Sequence, residues 1–465
     1  MKNQPLFSEF KSVSSKEWKQ KIQFDLKGAD YNDTLVWQSL EGIKVKPFYH
    51  NEDLENKPTF SFPKDHSWQI GQYIYSGNTI LANEKALNVL QRGAESIIFR
   101  IPDAVIDFNQ LLRGIDLKTT PIQFQFEALD SKQLKLLLAI TEKPDSKTML
   151  SIDLLGNLAR TGNWFHSQKK DHQILNEILQ VNKGERLVFS VDTSLYQNAG
   201  ANMVQQLAYG LSHAHEYLNH TQSVTSSVVN KSQEFTFKVA VGSNYFFEIA
   251  KLRALRWLWQ TLAAAYSIET ECHILAVPTK RNKTLYDFNV NMLRTTSECM
   301  AAVLGGANTI CNLPYDAMYH KDNEFGERIS RNQLLLLKEE SYFDEAIHAA
   351  EGNYYIETIT NQLAEKALAL FKQIEKVGGF LKQMHEGTIQ RKIKESAEKE
   401  QILFDTGDIT AIGTNKYENP NDKMLQELEL YPFVKTAKRK TIIAPIIEKR
   451  LAEKIEQQRL KNEKK

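Results

Sequence analysis

From about Glu95 onward, short β-branched or aromatic runs alternate with longer segments whose apolar residues recur at three- and four-residue steps. Strand, helix and strand again is the unit of a parallel sheet, so this alternation restricts the fold more than any other feature. The runs are SIIFRI at Ser96, PIQFQFEA at Pro121, MLSIDLLG at Met149, RLVFSVDT at Arg186, FTFKVAVG at Phe235, CHILAV at Cys272 and NTICNL at Asn308. Seven such units, with a shorter eighth near Tyr354, predict an α/β chain folded as a (β/α)8 TIM-type barrel of about 250 residues. A doubly wound sheet satisfies the same alternation.

The rest of the chain divides around that barrel. Residues 1–94 read as an N-terminal extension for subunit contacts, with a helix from Ser15 to Leu26 and extended pieces at Leu35 and Ile43. Residues 95–380 form the barrel, and 381–465 a helical C-terminal segment that ends in the basic stretch KTAKRKTIIAPIIEKRLAEKIEQQRLKNEKK. That stretch reads as a solvated helix, with a docking or nucleic-acid tail as the alternative.

Composition matters here for what it excludes. Charged residues are 25% of the chain and the formal net charge is +1, so no global field favours nucleic acid or an anionic membrane. Cys272, Cys299 and Cys311 have no CxxC spacing, which fits a reducing compartment. No apolar leader and no run of about 18 apolar residues is present, so the expected location is cytoplasmic.

Generic site motifs are missing as well: there is no GxxxxGK[ST], no HExxH and no GxSxG. Gly305 and Gly306 read as a helix C-cap turn. His213 and His215 stand two apart on a helix and face different ways. Arg253 and Arg256, beside Trp257 and Trp259, read as cations snorkelling from a packed helix. Glu327, Arg328 and Arg331 read as a solvated helix start with charge pairs.

Three stretches carry a family likeness: RTTSECMAAVLGGANTIC from Arg294 to Cys311, EFGERISRNQLLLLKEES from Glu324 to Ser341, and GNYYIETITNQLAEKALALFKQIEKVGG from Gly352 to Gly379. In order and spacing the chain resembles the cobalamin-dependent acyl-CoA mutases, and methylmalonyl-CoA mutase chains in particular, from about Pro47 to Tyr417. The resemblance also shows where the site departs from the family. HSWQIGQYIYSGNT matches the family's RPWTIRQYAGFST at Trp68, Ile70, Gln72 and Tyr73, but His66 and Gly71 replace two arginines expected to neutralise coenzyme A phosphates. Tyr73 falls on a tyrosine that steers the radical reaction, and is read as vestigial. In DTSLYQNAGA, against the family's SGYHMQEAGA, Leu195 replaces the histidine that hydrogen-bonds the thioester carbonyl. Losing such a donor costs about 10²–10³ in rate. TICNLP, at Thr309 to Pro314, also lacks the histidine of the family's SLHTN.

The cobalamin-binding motif Asp-x-His-x-x-Gly of the family does not occur, and fewer than 50 residues follow Tyr417, so no C-terminal flavodoxin-like domain is expected. The resemblance therefore implies a small, β-type subunit with no catalytic, cofactor-binding or metal-binding residue of its own. Adenosylcobalamin would be bound by a large (alpha) partner subunit in a 1:1 heterodimer, with an interface above about 2,000 Å². The alternative reading is a catalytic barrel component working with a separately encoded cobalamin-binding domain.

Overall fold

The computed structural model describes residues 7–55, 60, 62, 66–142, 145–182, 189–224, 235–269, 271–435 and 439–464. Eight parallel strands form one sheet: β1 Gln69–Tyr75, β2 Ser96–Ile101, β3 Ile122–Phe126, β4 Thr148–Ser151, β5 Phe189–Asp192, β6 Phe235–Val241, β7 His273–Pro278 and β8 Thr309–Ile310. Each strand pairs with its neighbour in sequence. β8 returns to β1 through Thr309↔Gln69, and an Ile152↔Phe189 bridge joins β4 to β5, so the sheet closes on itself as a barrel. Only part of the RLVFSVDT run lies within the described residues, and that part is β5.

Apolar runs such as SIIFRI become strands because both of their faces are covered. Ile97 and Phe99 pack under the outer helices with Phe108, Phe124 and Leu137, while Ile98 turns into the lumen with Leu275, Cys311 and Tyr73. The helices start on side-chain caps that follow the strand ends: Asn78, Asp130, Asp153 and Asn323 each accept from a backbone N–H of the next turn. Gly305 closes the Val290–Leu304 helix as the sequence suggests, and Gly306 follows with φ +81°.

Two expectations about the elements need correction. The eighth strand is not near Tyr354, where Asn353 caps a 23-residue helix, Tyr354–Lys376. It is β1, so the boundary drawn between residues 94 and 95 separates the first two strands of the barrel. QIGQYIY hides its strand character behind a glycine and two glutamines. The C-terminal segment, moreover, is only partly helical. After helices Gly379–His385 and Thr388–Thr406 the chain becomes irregular, and it turns helical again at Glu453–Glu463. Residues 439–452 run without helix, because Pro445 removes a donor and Ile442, Ile443, Ile446 and Ile447 are stiff at Cβ.

The N-terminal helix, Ser15–Asp25, and a two-stranded ribbon, Trp37–Gln38 with Lys44–Val45, lie where the sequence places them. No helix among the described residues is long and apolar enough to cross a membrane.

Candidate functional site

The C-terminal ends of barrel strands are where this architecture gathers reactive groups. Here they hold a charged cluster around Asp192, the last residue of β5. Its carboxylate receives Arg160 at 2.6 Å and stands 3.5 Å from the Lys238 ammonium, which points in from β6. Ser194 donates to the same carboxylate from both its backbone N–H and its hydroxyl. Burial works to raise the Asp192 carboxyl, but Lys238 and Arg160 outweigh it and hold it down at about 2. The Lys238 ammonium also lies 5.5 Å from the centre of the Tyr73 ring.

A strap from the C-terminal segment lies over one side of this mouth. The backbone of Ile442 and Ile443 donates to Gly162, Ile446 to Ala159, Lys449 to Asn198, and Leu451 to Arg281. The strap therefore bridges the loops that follow β4, β5 and β7. From it Glu448 reaches inward, 3.5 Å from Arg160 and accepting from the Asn198 amide at 3.0 Å. Lys280, two residues beyond β7, is exposed in the remaining opening, and its backbone N–H is fixed by the Asn198 side chain at 2.9 Å.

The residues singled out from sequence fall in different places. Tyr73 does face the lumen. Its hydroxyl accepts from Gln125 at 3.4 Å, and burial pushes it up to about 12. Leu195 is only 1% exposed and packs in the main outer core with Tyr196, apart from the lumen cluster of Ile98, Leu275 and Cys311. Gly71 points into a filled lumen: a Cβ there would lie 2.5 Å from the Cys311 sulfur and 2.7 Å from the Thr309 methyl. His66 stacks on Phe62 with ring centres 5.3 Å apart, and burial next to Arg256 lowers it to about 4, so it is neutral at physiological pH.

Other candidates are engaged in structure. His213 meets Asp153 at 2.9 Å and His215 meets Glu375 at 2.8 Å on opposite sides of their helix. Arg253 and Arg256 do not snorkel. Both are fully buried, Arg253 on Phe60 carbonyl and Glu357, Arg256 on the Gly306 and Cys272 carbonyls. A planar guanidinium can satisfy several carbonyls at once, which is why it survives burial there. Glu327 and Arg331 are likewise buried, paired with Lys85 and with the Arg92 carbonyl. No group of three or more histidine, cysteine or acidic side chains among the described residues could hold a metal ion.

Sequence reasoning passed over Arg160, Asp192, Lys238, Lys280 and Glu448. A signal was available for three of them: Asp192, Lys238 and Lys280 are ionisable residues inside or just after apolar runs, where a strand end opens on the mouth. Glu448 carried none, because its partners are remote in sequence.

Comparison with known proteins agrees with this architecture. The family model described as methylmalonyl-CoA mutase matches residues 101–463, from the end of β2 through the strap to the final helix. The chain is 33% identical over 446 residues to the methylmalonyl-CoA mutase small subunit of Porphyromonas gingivalis, covering 89% of this chain and 71% of that relative. It is 27% identical to a methylmalonyl-CoA mutase of Cereibacter sphaeroides, covering 89% of this chain and 65% of the relative. To a probable large subunit from Mycobacterium bovis it is 27% identical, with 86% and 60% covered. The chain thus spans roughly two thirds of the length of these relatives. With six of the eight barrel strands and the strap inside the region matched by the family model, and a relative 33% identical over 89% of the chain, this chain belongs to the methylmalonyl-CoA mutase family.

Proposed function

We propose that this chain is the non-catalytic small subunit of a heterodimeric methylmalonyl-CoA mutase, where it stabilises a large catalytic subunit in the cytoplasm. The observation that carries this reading is the packing at Gly71, where Cys311, Thr309 and Ile98 leave no space for an arginine. Leu195 adds to it, since an isobutyl group buried in the outer core can neither donate a proton nor polarise a thioester.

Mutases of this family are adenosylcobalamin-dependent isomerases, and the residues at this mouth do not fit that cofactor. The strap lies over one side of the face, and the charged groups behind it are paired with one another. The histidines next to the β4 loop, His166 and His213, are held by Asp171 and Asp153. The corrin therefore belongs on the partner.

The N-terminal arm supplies a docking element. No residue of the Ser15–Asp25 helix is buried, and Phe7, Phe10, Trp18 and Phe24 are 77%, 74%, 52% and 80% exposed. So many exposed aromatics on one arm call for a cover.

Co-expression with a large mutase subunit tests the assignment. A stable 1:1 complex is expected on analytical ultracentrifugation, and the isolated chain should show no isomerisation of methylmalonyl-CoA when given adenosylcobalamin, with or without a separate cobalamin-binding domain. Turnover by the isolated chain, or two proteins that sediment apart, refutes it.

A further inference from the structure

At the junction of β4 and β5, three side chains from three elements form one chain of contacts. Asp153 caps the helix after β4, Leu154–Thr161; Tyr196 sits in the short helix after β5, Ser194–Asn198; His213 lies on the long helix Met203–Val224. The Tyr196 hydroxyl stands 2.9 Å from His213 Nδ1. His213 Nε2 stands 2.9 Å from Asp153 Oδ1, too bent for a straight hydrogen bond but in full electrostatic contact. Tyr196 and His213 are fully buried, so bulk water cannot take a proton from either.

This arrangement assigns the protons. Burial, together with the Asp153 and Asp192 carboxylates, raises the Tyr196 phenol well above its ordinary value, so it keeps its proton and donates it to Nδ1. His213 then carries its own proton on Nε2, toward Asp153, and offers Nδ1 as a lone pair. A phenol that loses an electron becomes a strong acid, and here a base already touches it. Asp153 accepts from the Gly156 and Asp192 N–H groups and from the Tyr217 hydroxyl, and among the described residues His213 is the one ionisable side chain at ion-pair distance from it. An imidazolium formed at His213 therefore meets a charge of opposite sign already in place.

We propose that Tyr196 is a reversible one-electron redox centre that gives its electron to one-electron oxidants outside the fold, with His213 as its built-in proton acceptor. One electron passes from the phenol to the oxidant, the O–H bond breaks, and the proton forms an N–H bond at His213 Nδ1. What remains is a neutral phenoxyl beside an imidazolium–carboxylate pair. A one-electron reductant reverses both transfers. Tyr209, its ring centre 5.9 Å from that of Tyr196, extends the route toward the surface helix Thr388–Thr406, where Gln205, one turn before Tyr209, bonds the Lys392 carbonyl. Tyr217 is the competing site, because its hydroxyl donates to Asp153 at 2.9 Å. A carboxylate is a weaker base than an imidazole by roughly two to three pKa units, so proton and radical settle at Tyr196 and His213.

The test is laser flash photolysis of the full chain with ruthenium tris-bipyridine, photo-oxidised in solution, read by the phenoxyl absorption band and by electron paramagnetic resonance of freeze-trapped samples. A tyrosyl signal is expected that Tyr196→Phe largely removes and Tyr217→Phe keeps. Its rate of formation should not depend on the concentration of buffer base, because the proton acceptor is internal. The residual signal of Tyr196→Phe, from exposed tyrosines such as Tyr417, should rise with buffer base. His213→Gln should slow formation by about tenfold or more, the order that a hydrogen bond to a charged group contributes to a barrier. An unchanged signal in Tyr196→Phe overturns the proposal, as does a signal that only Tyr217→Phe removes or a folded His213→Gln chain that is oxidised as fast. If His213→Gln fails to fold by circular dichroism, the unsubstituted chain decides: a rate that climbs with buffer base overturns the internal acceptor and the proposal with it.

Discussion

Gly71 and His66 stand where the family likeness leads one to expect two arginines, and both positions are now structural. A methyl group at Gly71 must displace the Cys311 sulfur and the Thr309 methyl, so Gly71→Ala is expected to cost about 1–3 kcal/mol in urea unfolding. Gly71→Arg should cost more, since it adds an unpaired charge to the lumen. His66 and His273 are both lowered to about 4, the first by burial and Arg256, the second by burial, Arg256 and His66. Their folded values lie below the unfolded one, so the unfolded chain binds more protons between about pH 4 and 6.5. Stability should therefore rise with pH across that window, by at most about 1.4 kcal/mol per unit for each histidine, and level off above it. His66→Phe should flatten the slope of the urea midpoint against pH. At this scale the sequence was legible where chemistry is local, as with the C-cap at Gly305. It misled at Arg253, whose buried acceptors, the Phe60 carbonyl and Glu357, are remote in the chain.

The elements most visible in the sequence are those covered on both faces, such as β2 and β6, because double burial makes a run that is apolar at most positions. β1 escaped because Gln69 and Gly71 on its lumen side and Gln72 on the other leave neither an apolar run nor a clean alternation. The strap escaped for the opposite reason: its isoleucines suit a buried helix face as well as an extended segment, and Pro445 was the deciding residue. Arg450 anchors that strap, 2.6 Å from the buried Glu456 and donating to the Lys283 carbonyl. Arg450→Ala leaves Glu456 without its counter-charge and should cost about 3–5 kcal/mol, read as a lowered thermal midpoint. The N-terminal helix should behave differently. Deleting residues 1–25 is expected to change the stability of the isolated chain by less than about 0.5 kcal/mol, because nothing on that helix is buried, yet to abolish sedimentation with the large subunit.

For the whole molecule, closure of the barrel rests on unequal seams. Among the described residues, most neighbouring strands share a ladder of four or more residues, β8 shares two with each neighbour, and β4 and β5 meet through the Ile152↔Phe189 bridge and the Asp153 side chain on the Asp192 N–H. The strap grips the loops on both sides of that seam, at Ala159 and Gly162 and at Asn198. Glu448 and Asn198 are 250 residues apart, so during vectorial synthesis the two halves of the barrel must wait for a clasp made long after both have emerged. A nascent chain halted before Thr441 is accordingly a barrel with one slack joint. There, amide hydrogens of β4 and β5 should exchange with solvent sooner than those of β6 and β7, and a chaperone would find its first handhold.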